Sequence, residues 1–318
     1  MSAIITDQLR ILNSENFVAG IASTTNSYYA WIGLPNPADF QSDWSENPPS
    51  PKDSFSEEND YWDTMIALKK LNSDDIARVV RKITWSSGTT YEMYRDDYSR
   101  SNLSPQTSST NVYDTNFYVM NQNFRVYICL QNGTNPENTS GRPSLDDPVF
   151  TDLEPRSAGA SGDGYIWKYL FTIDPNSIIK FDSTSFIPLP QDWSSNNEVA
   201  AVRNNASTSG QLKIVSITNR GVGYGTAATY NNVPIKGDGS GGRCSVVVNA
   251  AGKIDSVEVT NGGSNYTFGS VGLSDVGLTN PSGSTDAAFN VIIPPQDGHG
   301  ACLLYTSDAA DELCSGGG

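Results

Sequence analysis

Histidine is all but missing from this sequence: His299 is the only one in 318 residues. A single imidazole, set in the turn-like PPQDGHG, supplies neither a Ser-His-Asp relay nor the second nitrogen that a transition-metal shell needs. Cysteine is scarce as well. Of the four cysteines, two fall after Gly300, leaving Cys129 and Cys244, which form no Cys-x-x-Cys pair and no disulfide framework. Both are expected as buried free thiols. Basic residues are outnumbered, 20 Lys and Arg against 35 Asp and Glu, and the net charge of -15 repels a phosphate backbone and an anionic lipid surface. Nucleic acid and membrane are therefore not expected as partners. No apolar run approaches the roughly 20 residues that cross a bilayer, and MSAIITDQLRILNSE lacks a basic region followed by an apolar one, so synthesis in a cytoplasm is expected.

Cofactor loops are missing too. Gly237 to Gly242 satisfies G-x-G-x-x-G literally, but it leads into the strand-like RCSVVV, where a dinucleotide needs a helix N-terminus. No G-x-x-x-x-G-K-[ST] loop is present, and no cofactor or metal is expected. Acidic pairs do occur, at Glu57/Glu58, Asp74/Asp75, Asp96/Asp97 and Asp146/Asp147. Their places in loops and helix starts fit capping and turn duty better than the facing carboxylates of a glycosidase. Asp163, between Gly162 and Gly164, reads as a turn residue bonding its own backbone.

What is abundant is large apolar side chains and turn formers: hydrophobic residues make up 37%, with 15 Tyr, 11 Phe and 6 Trp beside 28 Gly and 17 Pro. This is a folded chain of short strands and many turns, long enough for about two domains. The text changes character after Gly300. Cys302 to Glu312 reads back into codons resembling the transposase adapter of sequencing libraries, so residues 302–318 are taken as a scar and 291–301 as the start of a truncated C-terminal segment.

Along the chain, Leu9, Leu12, Phe17 and Ile21 place a helix over Thr6 to Ala22. YYAWIGL reads as a strand ended by Pro35. Ser54 to Glu57 fits a capping box, and Tyr61, Trp62, Met65, Ile66 and Leu68 predict a second helix ending near Asn72, with Trp62 in the core. Strands are predicted at Val79 to Trp85, Phe117 to Met120, Phe124 to Leu130 and Tyr165 to Ile173. In the last, strict alternation puts Tyr165, Trp167, Tyr169, Phe171 and Ile173 on one face. Such a strand suits the middle of a sandwich or a subunit contact.

Beyond Trp193 an internal repeat begins. IVSITNRGVGYGTA is answered 42 residues later by IDSVEVTNGGSNYTFG, with Tyr224 matching Tyr266. The expected architecture is α+β and mainly antiparallel, sandwich-like, with two helices in the N-terminal half. Its domains are 1–198 and an inserted glycine-rich β repeat module over 199–290.

The motif GDGYIWKYLF followed by FIPLP, together with AIITDQLRILN, YWDTM and VVRKITW, resembles the baseplate wedge protein family of T-even-type contractile-tailed phages, and closely its cyanobacterial myophage relatives. In order and spacing these stretches cover most of residues 3–193. The resemblance implies a non-enzymatic virion subunit in the tail baseplate, assembled in the host cytoplasm, that dimerises and joins other wedge proteins. The chain departs from that pattern in the glycine repeat and in the lost C-terminus. Contact candidates on this reading are Trp167, Tyr165, Tyr169, Phe171, Trp62, Tyr224 and Tyr266. A receptor- or glycan-binding module, using Tyr224, Tyr266 and the loops 99–112 and 132–150, is the alternative; a glycan-degrading enzyme built on the acid pairs is a third.

Overall fold

The computed structural model describes residues 7–23, 25–33, 62, 65–94, 115–190, 196–197 and 199–293. His299, Glu57/Glu58, Asp96/Asp97, loop 99–112, the expected capping box and the stretch from Cys302 lie outside them. The chain divides into two compact units, Met1–Ala77 and Arg78–Gly318. Both follow the mainly antiparallel α+β plan.

In the first unit, α1 (Asp7–Ala22) is the expected helix, and the ring of Phe17 meets that of Tyr28 edge-on at 6.0 Å. β1 (Tyr29–Gly33) pairs antiparallel with β2 (Met65–Lys70), Trp31 opposite Leu68 and Tyr29 opposite Lys70. This corrects the second helix: Met65, Ile66 and Leu68 lie on a strand. Apolar residues at 65, 66 and 68 fit either period over so short a run. Pairing decides between them, because β1 alone would leave its ladder of N–H and C=O groups without partners. Trp62 is corrected as well, being 64% exposed where a core position was expected.

The second unit begins with β3 (Val79–Arg81), which pairs with β7 (Phe186–Pro188). β4 (Tyr118–Met120), β5 (Arg125–Asn132) and β6 (Tyr165–Thr172) form a three-stranded antiparallel sheet. After β6, Asp174 caps α2 (Pro175–Phe181) by accepting from the Asn176 and Ser177 amides, with Pro175 at the first turn. The strand β6 is interior. Tyr165 and Trp167 are fully buried against Tyr91, Tyr127, Cys129 and Phe150 on one side, while Ile166 and Leu170 pack with Val126, Ile128, Ile187 and Ile214 on the other.

Phe171 and Ile173 belong to that second cluster, not beside Trp167 as strict alternation predicts. The register explains it: Tyr127 faces Tyr169 and Val126 faces Phe171, so Leu170 is an extra residue, and a bulge flips everything after it. The open edge of β6 is closed by Arg156, whose N–H and C=O exchange hydrogen bonds with Trp167, both at 3.0 Å.

After α3 (Ala200–Ala206) come β8 (Ile214–Arg220), β9 (Ala228–Gly237), β10 (Arg243–Val248), β11 (Ile254–Asn261), β12 (Gly269–Val271) and β13 (Ala287–Ile292). Hydrogen-bonded neighbours run β11, β10, β9, β12 in one sheet and β13, β8 in another. β8 lies beside β11 and β12 beside β13, so the six strands close into a ring. Its interior is apolar, filled by Leu212, Val233, Cys244, Val246 and Ile254.

The repeat is visible in this ring, and its two copies interlock. Asn219 Oδ1 accepts from the Gly221 amide and Asn261 Oδ1 from the Gly263 amide, both at 2.9 Å. Gly221 (φ 60°) and Gly263 (φ 59°) turn the chain in the left-handed region. The Tyr224 amide then donates to the Gly252 carbonyl at 3.0 Å, and the Tyr266 amide to the Gly210 carbonyl at 3.2 Å. Each tyrosine thus docks on the glycine that precedes the other copy's strand. At Gly210 a Cβ would come within 2.3 Å of the Tyr266 nitrogen. Gly210→Ala is therefore expected to lower the melting temperature by several degrees, and by more than Ala at Gly225, which carries the strain of its positive φ (91°) but no steric clash, as thermal denaturation will read.

Candidate functional site

The Gly162-Asp163-Gly164 turn sits at the head of β6 and is held from all sides. Asp163 is buried; its Oδ1 accepts from the Tyr165 amide at 3.0 Å and its Oδ2 from the Leu145 amide at 2.8 Å. Gly164 (φ 86°) lies so close to Gly133 that a Cβ would be 2.8 Å from its Cα. Arg142 Nη1 donates to the Gly162 carbonyl at 3.2 Å, and the Tyr165 hydroxyl to the Arg142 carbonyl at 2.6 Å. The carboxylate has both oxygens committed to backbone amides, which makes it a turn anchor. Asp163→Ala leaves two donors unpaired and is expected to destabilise by about 1–3 kcal/mol per amide, measured by denaturant titration.

Beside this turn lies a cavity of about 290 Å³, bounded by the 133–135 and 157–166 segments and by the faces of β8 and β11. It is polar. Arg220 reaches across its end, with Nε 2.8 Å from Glu137 Oε2 and Nη1 donating to the carbonyls of Ile254 and Asp255, both at 2.7 Å. The hydrogen bond from Arg220 holds the Glu137 carboxyl below its ordinary range.

A second cluster gathers around Lys168 in β6. Lys168 is fully buried, and its Nζ has no hydrogen-bond partner. Burial pushes its pKa down to about 7, the neighbouring Lys213 pushes the same way, and Glu154 pulls it back. Lys213 is buried too; its Nζ donates to Glu154 Oε2 at 2.9 Å and to Asn205 Oδ1 at 3.1 Å. Asn205 Nδ2 donates to Glu154 Oε1 at 2.7 Å, which closes a triangle of amine, amide and carboxylate.

The contact candidates fall as follows. Tyr165, Trp167 and Phe171 are buried in this chain's own core and Tyr169 is half-buried beside Tyr127, so the expectation that β6 offers a subunit contact is redirected: its rings are spent internally. Tyr224 and Tyr266 are buried plugs. The Ala287 amide donates to the Tyr224 hydroxyl at 2.7 Å, and the Tyr266 hydroxyl donates to the Ile235 carbonyl at 2.8 Å. Trp62 alone of the seven is well exposed.

The other candidates take structural places. Cys129 and Cys244 are buried free thiols; burial pushes both up, Cys244 to about 12. Gly237 ends β9 and Arg243 opens β10, so the literal G-x-G-x-x-G joins two strands. Asp75 accepts from the Asn72 amide at 3.0 Å, and Asp146 from the Ser161 amide at 2.8 Å. Among the described residues, no group of three or more His, Cys, Asp or Glu side chains is placed to hold a metal ion, and no helix is long and apolar enough to cross a membrane. Sequence reading missed Lys168, Lys213, Glu154 and Asn205 as a group. No local pattern marks them, since the carboxylate stands 59 residues from Lys213.

Compared with known proteins, the chain matches no protein-family model and no curated protein.

Proposed function

We propose that this chain is a structural subunit of a phage tail baseplate wedge, acting in virion assembly through contacts with its own copies and with other wedge proteins, without turnover. Its place on this reading is the tail baseplate, after assembly in the host cytoplasm. The GDGYIWKYLF–FIPLP motif and the stretches in order with it are the ground for naming the wedge family. The observation that favours an assembly role is the ribbon β1–β2. Ile32 is 69% exposed and Ile66 64% exposed, with Tyr29, Trp31 and Leu68 also exposed. A two-stranded ribbon is marginal by itself, and apolar side chains gathered on one favour burial by another chain. On this reading the contact surface is the ribbon, in the first unit, and not β6.

Light scattering on the full chain tests the reading. A concentration-dependent dimer is expected, and Ile32→Ser with Ile66→Ser should shift it to monomer while thermal unfolding of the second unit is unchanged. A wild-type chain that stays monomeric at every concentration, and fails to bind co-expressed wedge proteins, would refute it. The glycan-binding alternative uses Tyr224, Tyr266 and the loops 99–112 and 132–150; the two tyrosine rings are buried, which removes them as a sugar platform, and loop 99–112 lies outside the described residues.

A further inference from the structure

The triangle of Lys213, Asn205 and Glu154 is more than an ion pair. An ion pair needs one carboxylate oxygen, whereas here Glu154 uses both: Oε2 faces the Lys213 amine at 2.9 Å and Oε1 faces the Asn205 amide nitrogen at 2.7 Å. The amine also reaches the oxygen of that same amide, at 3.1 Å. A nucleophile, a carbonyl with a nitrogen leaving group, and a group able to carry protons between the two nitrogens are thus in mutual contact. The lysine side chain is only 3% exposed. Behind it stands Lys168, buried and without an acceptor.

We infer that Lys213 and Asn205 are the two ends of an intramolecular isopeptide bond whose formation is promoted by Glu154. The reaction is an amide exchange that needs no oxidant and no further reactant. Glu154 takes a proton from the Lys213 ammonium, and the freed Nζ lone pair attacks Asn205 Cγ. The new Nζ–Cγ bond forms as the Cγ–Nδ2 bond breaks; Glu154 delivers its proton to Nδ2, and the nitrogen leaves as ammonia, taking up the remaining proton to depart as ammonium. Charge balances, because one lysine cation is replaced by one ammonium ion.

Burial of the lysine favours the attack, while the Glu154 carboxylate opposes it by favouring the ammonium. Burial pushes the Lys213 pKa down, toward the neutral amine that attacks. The placement also gives the bond a trigger. Asn205 is on α3 and Lys213 leads into β8, eight residues on, but Glu154 comes from the loop before β6, 59 residues back from Lys213. The carboxylate arrives only when the β4–β6 sheet region and the strand ring have folded against each other, so the bond locks the junction after folding.

Mass spectrometry of the full chain tests this directly. The intact mass is expected to fall short of the sequence mass by one ammonia, about 17 Da. Trypsin should leave the bond between Lys213 and Ile214 uncut, because an acylated lysine is not recognised, giving one Asn204-to-Arg220 peptide that lacks an ammonia. Glu154→Ala should restore full mass and cleavage. Lys213→Arg keeps the cation and should likewise show full mass, which guards against a Glu154 variant that fails to fold. A wild-type chain of full mass overturns the inference. So does an ammonia loss that persists in Lys213→Arg, or one accompanied by normal cleavage after Lys213, since both place the loss away from the Lys213 amine.

Discussion

Replacing Trp167 by alanine is expected to destabilise the second unit by about 3–5 kcal/mol. The ring is fully buried, stacked on Tyr165 with centroids 5.3 Å apart and edge-on to Tyr91 at 5.8 Å. Removing it opens a cavity between two further aromatic rings that are themselves hydrogen-bonded in place. The Tyr165 hydroxyl accepts from the Tyr91 amide at 2.9 Å, so neither ring is free to collapse into the space. Trp167→Phe should cost distinctly less. It keeps much of the volume and removes an indole N–H that has no partner. Urea titration followed by circular dichroism measures both. A Trp167→Ala loss below about 1 kcal/mol would mean the site relaxes and the cluster is not the rigid centre described here. Any loss of oligomer in this variant should track unfolding, in contrast to the ribbon substitutions.

The second large effect concerns Lys168 and pH. Its folded pKa, about 7, lies below the ordinary value of 10.5, with burial as the main cause. Between those two values the unfolded chain holds a proton that the folded chain has given up. Stability therefore rises with pH across that window, by up to about 1.4 kcal/mol per unit, and levels off below it. Groups with raised pKa act in the opposite sense at higher pH. Burial lifts Cys244 from 9.0 to about 12 and Tyr118 and Tyr127 from 10.0 to about 12, so their contribution is lost as pH climbs through that range. The clean interval is pH 7 to 9, where a gain is expected. Lys168→Met should remove most of that slope and stabilise the protein at pH 7 by something on the order of 3 kcal/mol. Denaturation curves at pH 7, 8 and 9 for both forms decide it, and a wild-type slope unchanged in Lys168→Met would assign the effect elsewhere.

These two side chains also show where sequence reading succeeds and where it stops. β6 is legible because period-two alternation of aromatics over eight residues is the pattern of a strand and of no helix. Its bulge is not, since an extra residue at Leu170 is set by the register of β5 and leaves no mark in β6 itself. The repeat is legible down to its Asn-Gly turns and its tyrosines, whereas the exchange of each tyrosine into the other copy depends on ring closure. β2 reads as helix because six residues are too few to separate the two periods, and its partner β1 lies 32 residues earlier at the closest register pair. The Lys168, Lys213, Glu154 and Asn205 cluster is invisible for the same reason in stronger form: it joins β6, the loop before it, α3 and the approach to β8. Burial of a lysine in a strand that reads Tyr-Ile-Trp-Lys-Tyr-Leu follows from its neighbours alone; what faces it does not.

The central claim is that this chain is a component of an assembled tail. The most direct measurement is quantitative mass spectrometry of virus particles purified from the source of this sequence, with gold-labelled antibody against the recombinant chain to place it. The account predicts peptides from residues 3–293 in a fixed ratio to other baseplate proteins and label at the baseplate end of the tail. Particles that lack the chain, in a sample where infected cells contain it, would contradict that claim.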